Sequence, residues 1–396
     1  MVSFQGEENV SNGEININLY AIDPLEKGKL YRIKSVSTWD YCKDKYVHTN
    51  RTGVVRKASG YADNYYNHLH LLFDASVEPE PASLAIFTFE ENTDVAGEYK
   101  MKNLHTGMYV KSFQKGAEHL GNESDASYVK VMGFAPGQLT LQIGESSPMH
   151  AQENYGVIVG WNADTNNASL WAIEEVDYSV ADFDVSIGAV RWSTLCLNYA
   201  VEVPEGVTAY AALGVDGNSV VLQSVGNVIP AGTAVLLNAA PGDYSFKYTS
   251  QSVEPQSQID NKLVGTYYDS YIEANKESFK YYMLAKIDDT KAGMKQIYRE
   301  YSYDENGNLV SHKNTDDGTH FKNNANKVYL PVPKENGVSE VKAYSLRIID
   351  GTTGVDEVVG NIGVAPEGIY DLSGRRIIEI TEPGIYIVNG KKFMKK

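Results

Sequence analysis

The amino-acid sequence predicts an all-β, multidomain protein. Three observations carry this. Apolar and polar residues alternate with period two in segments such as Tyr31-Arg32-Ile33-Lys34-Ser35-Val36, which is the pattern of a half-buried strand. Segments of the same phrasing return along the chain in diverged repeats of about fifty residues, all strand and turn, which is how a repeated β unit reads. Gly and Pro punctuate the rest at short intervals. The composition agrees, with 34 Gly, and with 28 Tyr against 11 Phe in 396 residues.

Residues 1–27 form a polar N-terminal segment, with one short strand expected between Gly13 and Leu19. The repeated unit follows. Tyr31 to Val36 is answered by Tyr99-Lys100-Met101-Lys102-Asn103, followed by Gly107-Met108-Tyr109-Val110. A second echo links Ala82-Ser83-Leu84-Ala85-Ile86-Phe87-Thr88-Phe89-Glu90-Glu91 with Ala168-Ser169-Leu170-Trp171-Ala172-Ile173-Glu174-Glu175. The phrase Tyr-Lys-x-Lys-Asn-x-x-Thr-Gly-x-Tyr-Val, closed by Ser-Leu-Trp-x-Ile-Glu-Glu, resembles ricin-type β-trefoil domains and covers residues 28–178. The Gln-x-Trp motif of that family is replaced by Ser169-Leu170-Trp171, a departure that bears on sugar binding more than on the fold.

From Asp182 the text changes. Val201 to Tyr210 reads strand, turn, strand, and Val228-Ile229-Pro230-Ala231-Gly232-Thr233 leads into a buried strand at Ala234-Val235-Leu236-Leu237. Gly242 to Phe246 follows, and Asn326 to Val332 closes the unit. This spacing of turn residues predicts a β-sandwich-like module over 179–350. Its phrases Pro-Glu-Gly-Val-Thr-Ala-Tyr and Ile-Pro-Ala-Gly-Thr resemble a module found near the C-termini of Bacteroidetes surface proteins. Residues 351–365, rich in Gly and Val, read as a linker.

Residues 366–396 predict a compact unit of short strands, Ile369 to Leu372 and Ile385 to Val388, with Asn389-Gly390 as a hairpin turn and a basic end. Ile-Tyr-Asp-Leu-x-Gly-Arg-Arg followed by Gly-Ile-Tyr-Ile-Val-Asn-Gly-Lys-Lys resembles the C-terminal sorting domains of exported Bacteroidetes proteins. That resemblance implies a secreted or cell-surface location and an export machinery as a partner. Residues 1–8 have neither the basic nor the apolar region of a signal peptide, so it further implies a mature form or a fragment.

Charge narrows the function. A net charge of −16 disfavours sequence-independent nucleic-acid binding and adsorption to anionic lipid, and leaves a neutral partner such as a glycan. No apolar stretch reaches the length of a membrane span. Two cysteines, Cys42 and Cys196, lie far apart and read as small buried hydrophobes rather than a disulfide framework.

The chemistry-bearing candidates are few. His68 and His70 share a strand face, but no third ligand accompanies them, so no zinc site is assigned. Asp304-Glu305-Asn306-Gly307-Asn308 lacks the acidic last position of a calcium loop, which falls on Thr315, and reads as a hairpin turn. No cofactor, metal or catalytic motif is present, and no pair of carboxylates is singled out for catalysis. The trefoil supplies the binding candidates. A sugar site needs an aromatic platform and a few fixed polar groups. Trp161 with Asn162, Asp164, Asn166 and Asn167 offers these in the third repeat, Asn103, His105 and Tyr109 in the second, and Trp39, Asp40 and Tyr46 in the first. The expected protein is therefore a β-trefoil, a β-sandwich-like module and a sorting module, with non-catalytic glycan binding as its activity. It is either complete or the accessory part of a larger secreted enzyme. The alternative is a structural or adhesion protein whose trefoil acts as a spacer.

Overall fold

The computed structural model describes residues 4–11, 14–21, 24–49, 69–71, 81–115, 117–152, 158–161, 167–250, 259–268, 270–273, 278–296, 298–303, 309–315, 320–334, 341–349, 369–370, 376–377, 384–388 and 391–395. These residues are almost wholly strands and turns, and no helix among them is long and apolar enough to cross a membrane.

The N-terminal segment contains two strands rather than one. β1 (Phe4–Ser11) and β2 (Glu14–Ala21) pair antiparallel, with Ser11 opposite Glu14. Asn12-Gly13 between them is a hairpin dipeptide in the sequence, a signal that a single-strand reading of this segment overlooks.

Twelve strands then make three four-strand repeats. The first comprises β3 (Leu30–Ser35), β4 (Val47–Thr49), β5 (Leu69–Leu71) and β6 (Phe87–Glu91). The second comprises β7 (Glu98–Asn103), β8 (Tyr109–Val110), β9 (Leu120–Gly121) and β10 (Tyr128–Ala135). The third comprises β11 (Gln138–Ile143), β12 (Met149–Ala151), β13 (Ile158–Gly160) and β14 (Trp171–Val176). The outer strands of the repeats run β10-β11-β14-β3-β6-β7, and β10 also pairs with β7, which closes a barrel. The inner strands form the hairpins β4–β5, β8–β9 and β12–β13. This is the connectivity of a β-trefoil. The sequence echoes are its repeats: Tyr31 and Tyr99 are the second residues of β3 and β7, and the Ala82 and Ala168 phrases each form a 3-10 turn leading into β6 or β14.

Period-two alternation fills the barrel. Tyr31, Ile33, Phe87, Phe89, Tyr99, Met101, Val129, Val131, Leu141 and Trp171 converge in one cluster. Phe89 lies edge-on to both Tyr31, at 5.5 Å, and Tyr99, at 6.1 Å between ring centroids. The Trp171 indole is completely buried and its Nε1–H donates to the Met149 carbonyl at 3.0 Å, so the one polar atom of the largest core side chain is satisfied.

The second module continues from the trefoil through a shared core. Leu30, Ile86 and Leu104 at the base of the barrel pack in one cluster with Val185, Leu197, Tyr199 and Ile229. Beyond it, one sheet holds nine strands in the order Trp192–Leu195, Val235–Asn238, Thr208–Asp216, Ser219–Ser224, Ala343–Ile348, Ala292–Lys295, Phe279–Lys286, Lys327–Pro333 and Val264–Thr266. Its first strand comes back to its last ones. The Cys196 amide donates to Asn326 O at 3.1 Å, and Asn326 Nδ2 donates to Cys196 O at 3.1 Å. The sheet is therefore barrel-like, with Tyr210, Leu222, Leu236, Tyr282, Met294, Leu330 and Tyr344 inside. Strands Thr208–Asp216 and Val235–Asn238 are buried on both faces: Ala209, Ala211, Val235 and Leu237 face the trefoil side, and Tyr210, Ala212 and Leu236 face the interior. Burial on both faces explains why Val235-Leu236-Leu237 is continuously apolar. In place of a plain sandwich, the module is a curled nine-strand sheet with a core on each side, and the strand pairs Phe183–Ile187 with Gly242–Phe246 and Val201–Glu202 with Val228–Ile229 line the core it shares with the trefoil.

Strands Tyr298–Tyr303 and Leu309–Thr315 pair antiparallel, as the hairpin reading of this stretch requires, with Asp304 to Asn308 outside the described residues. Asp350–Lys396 make a separate compact unit. In it, strands Gly384–Val388 and Lys391–Lys395 pair with Val388 opposite Lys391, the register a two-residue Asn389-Gly390 turn demands.

Candidate functional site

The chain has four tryptophans. Trp171 is core and Trp192 is half-buried, whereas Trp161 and Trp39 are 55% and 41% exposed. Both exposed indoles belong to the trefoil, and both are held.

Trp161 follows β13. Its amide donates to Pro148 O at 3.1 Å, which fixes the backbone. Gly160 lets that backbone come close: a Cβ there would sit 3.3 Å from Ser147 O and 3.4 Å from Phe113 O. The Trp161 ring stacks on the His150 imidazole, with centroids 5.9 Å apart and 29° between planes. His150 is buried and its Nδ1 is 2.9 Å from the buried Ser169 hydroxyl. Burial lowers the His150 pKa, so the ring under Trp161 is neutral at pH 7 and acts as a flat apolar support.

Trp39 stands in the turn after β3. Its carbonyl accepts from the Cys42 and Lys43 amides at 3.1 and 2.9 Å, and its own amide donates to Ser37 Oγ at 3.0 Å. The indole packs on Tyr41, with centroids 5.8 Å apart. The Tyr41 hydroxyl donates to Ala151 O at 3.3 Å, next to His150. The Thr38 amide donates to Asn167 Oδ1 at 3.1 Å, and Asn167 Nδ2 donates back to Thr38 Oγ1. Asn167 opens the 3-10 turn that carries Ser169. Two sets of bonds thus tie the Trp39 turn of the first repeat to the segments of the third repeat that carry His150 and Ser169, so the two exposed indoles and the exposed Asp40 stand on linked parts of the trefoil.

Of the predicted residues, Trp39, Asp40 and Trp161 are exposed on these linked segments. Asn162, Asp164 and Asn166 lie outside the described residues. Tyr46 stands on the barrel wall, half-buried. Its hydroxyl donates to Glu174 Oε2 at 3.0 Å, and the Arg32 guanidinium lies 5.5 Å above its ring. Burial, followed by Glu174, raises its pKa.

The second-repeat cluster is a correction: Asn103, His105 and Tyr109 face inward. Asn103 is fully buried. Its Nδ2 donates to Leu84 O at 2.9 Å and Ile86 O at 3.3 Å, and its Oδ1 accepts from the Thr106 amide at 3.0 Å. His105 is buried where the second module meets the trefoil. Its Nε2–H donates to Tyr267 O at 3.2 Å, so its Nδ1, 3.1 Å from Ser83 Oγ, accepts from that hydroxyl. Asn198 Nδ2 also donates to His105 O at 2.9 Å. Tyr109 is buried, and burial pushes its hydroxyl pKa up to about 12. These side chains are spent within the protein, because the second module covers the trefoil base and the Asn103 amide bridges two turns.

Tyr41 and His150 are the members that sequence reasoning missed. The Trp39-Asp40-Tyr41 adjacency was a visible signal for Tyr41. His150, in the run Met149-His150-Ala151, had none. Among the described residues no three His, Cys, Asp or Glu side chains are grouped to hold a metal.

No protein-family model matches the chain, and no curated protein matches it. Solved structures do align. The BEL β-trefoil, in an apo crystal form, is 10% identical over 39% of this chain and 97% of its own, with a TM-score of 0.28. A Polyporus squamosus lectin bound to a human-type influenza-binding epitope is 14% identical over 40% of this chain and 51% of its own, with a TM-score of 0.27. A mosquitocidal holotoxin is 9% identical over 84% of this chain and 53% of its own, with a TM-score of 0.29.

Proposed function

We propose that this chain is a non-catalytic carbohydrate-binding protein of the bacterial exterior, and that it holds glycan on the trefoil face bearing Trp39 and Trp161. The observation that carries this is the pair of braced, exposed indoles. A monomeric protein leaves few large aromatics in water, and here two are propped from beneath by Tyr41 and the neutral His150. A rigid indole offers the apolar face of a pyranose a surface that need not be ordered on binding. Polar groups beside it, such as Asp40, orient hydroxyls. The net charge of −16 fits a neutral glycan. The C-terminal module is the address for export, and the chain serves as a binding protein or as the accessory part of a larger secreted enzyme. The spacer reading draws on the inward-facing second-repeat cluster and the missing Gln-x-Trp.

Glycan arrays followed by calorimetry with plant, mucin and microbial polysaccharides test this. The face is open, so a Kd on the order of 0.1–1 mM is expected, about −5.5 to −4 kcal/mol. Trp161→Ala and Trp39→Ala each abolish detectable binding. The Trp161 indole buries roughly half its surface, so its removal costs at most about 3 kcal/mol and the fold survives. Blank screens with the intact protein, or binding that survives both substitutions, would replace this reading with the spacer one.

A further inference from the structure

The second module carries a cavity that the glycan face does not use. It has a volume of about 280 Å³ and lies at the seam of the barrel-like sheet, between Trp192, Ser193 and Thr194 on one side and Met283, Leu284, Lys322, Lys327 and Val328 on the other. The sheet creates it. The Trp192–Leu195 strand returns to the Lys327–Pro333 strand without a ladder between them, so the seam is closed by single contacts. One of these is Lys327 Nζ donating to Thr194 O at 3.4 Å.

The lining holds two lysines and no Asp or Glu, in a chain of net charge −16. Lys327 is half-buried, and no carboxylate among the described residues forms an ion pair with it. An ammonium has three N–H donors, and the long bond to Thr194 uses one. Burying a cation without a counter-charge is unfavourable, and burial does lower the Lys327 pKa. The cavity therefore offers a half-buried positive charge that an anion would compensate. Its other wall is apolar and aromatic. Trp192 is packed on Tyr210 at 5.8 Å between centroids, and Met283 and Leu284 continue that surface. Asn323 Nδ2 donates to Thr266 Oγ1 at 2.7 Å and to Lys327 O at 3.1 Å, which fixes the backbone from which Lys327 projects.

We infer that this seam pocket binds a small organic acid of monosaccharide size, a hexuronate, with its carboxylate on Lys327 and its ring against Trp192. A single carboxylate compensates the half-buried Lys327 ammonium, and the apolar Trp192 wall suits a ring that a bare phosphate lacks. The volume suits one sugar ring and not an oligosaccharide. The site is separate from the trefoil face and does not depend on the activity proposed there.

The test uses the full chain, titrated by calorimetry and ligand-observed NMR with sodium glucuronate, glucose and inorganic phosphate. Glucuronate binds with a Kd on the order of 0.1–1 mM and glucose at least tenfold more weakly. Lys327→Met weakens glucuronate at least tenfold, Lys327→Arg retains it, and Trp161→Ala leaves it unchanged. Equal affinity for glucose and glucuronate would overturn the inference. So would no binding of glucuronate, tighter binding of phosphate, or full binding by Lys327→Met. If Lys327→Met does not fold, the comparison of acids with the neutral sugar on the unaltered chain, together with a fivefold or greater loss in Trp192→Ala, decides the question.

Discussion

Replacing Asn103 by Ala discriminates sharply between a structural and a sugar-binding second repeat. Its amide makes three hydrogen bonds in a site without solvent: to Leu84 O at 2.9 Å, to Ile86 O at 3.3 Å and from the Thr106 amide at 3.0 Å. The losses are unequal. The Ile86 carbonyl also accepts from the Leu104 amide at 2.9 Å and keeps that partner. The Leu84 carbonyl and the Thr106 amide lose a bond each, and orphaning a buried polar group costs about 1–3 kcal/mol. The expected destabilisation is thus about 2–6 kcal/mol. Asn103→Asp preserves the acceptor but sets a carboxylate against two carbonyls, so it costs at least as much. Urea denaturation followed by tryptophan fluorescence reports it, since Trp171 sits in the barrel core. An Asn103→Ala protein with an unchanged unfolding midpoint and lost glycan binding would refute the structural assignment.

Three further outcomes are expected. Because burial depresses the His150 pKa, its contribution to stability is complete above the ordinary histidine value near 6.5 and declines as pH falls through it towards the lower folded-state value; the stability gap between the unaltered chain and His150→Gln should therefore shrink on acidification from pH 8 to 5, and a gap that widens contradicts this. A Cβ on Gly265 would lie 2.2 Å from Cys196 Sγ and 2.4 Å from Cys196 Cβ, so Gly265→Ala destabilises the seam by about 1–3 kcal/mol or more; Cys196→Ala removes the Sγ contact but keeps the Cβ one, so it rescues Gly265→Ala only in part, and an unchanged unfolding midpoint in Gly265→Ala alone would contradict this. Burial raises the Cys196 thiol pKa to about 11, so iodoacetamide at pH 8 should leave this cysteine unmodified in the native protein and label it in urea, as peptide mass mapping would read out.

What sequence alone determined here is local. The alternation of Tyr31 to Ser35 specifies a strand with one face inward, and the barrel uses that face. The Ala82 and Ala168 echoes specify two copies of the same turn-and-strand unit. Asn389-Gly390 specifies a two-residue hairpin, and the flanking strands pair in that register. Backbone period and turn chemistry act over a few residues, so they are written in the chain itself. Only tertiary structure decided which aromatic and polar residues meet water. Trp161 and Trp171 are alike as residues, yet one follows a hairpin at the rim and the other closes the barrel. Asn103 and His105 have the side chains of a sugar site, but the Leu84 and Ile86 carbonyls and the Thr106 amide claim Asn103, and Tyr267 of the second module claims the His105 ring. Tyr41 and His150 entered the candidate face through contacts with residues about a hundred positions away or in another strand, as with the Tyr41 hydroxyl on Ala151. Burial is a property of what lies on the other side of a residue, and for these positions the other side is supplied by distant parts of the chain.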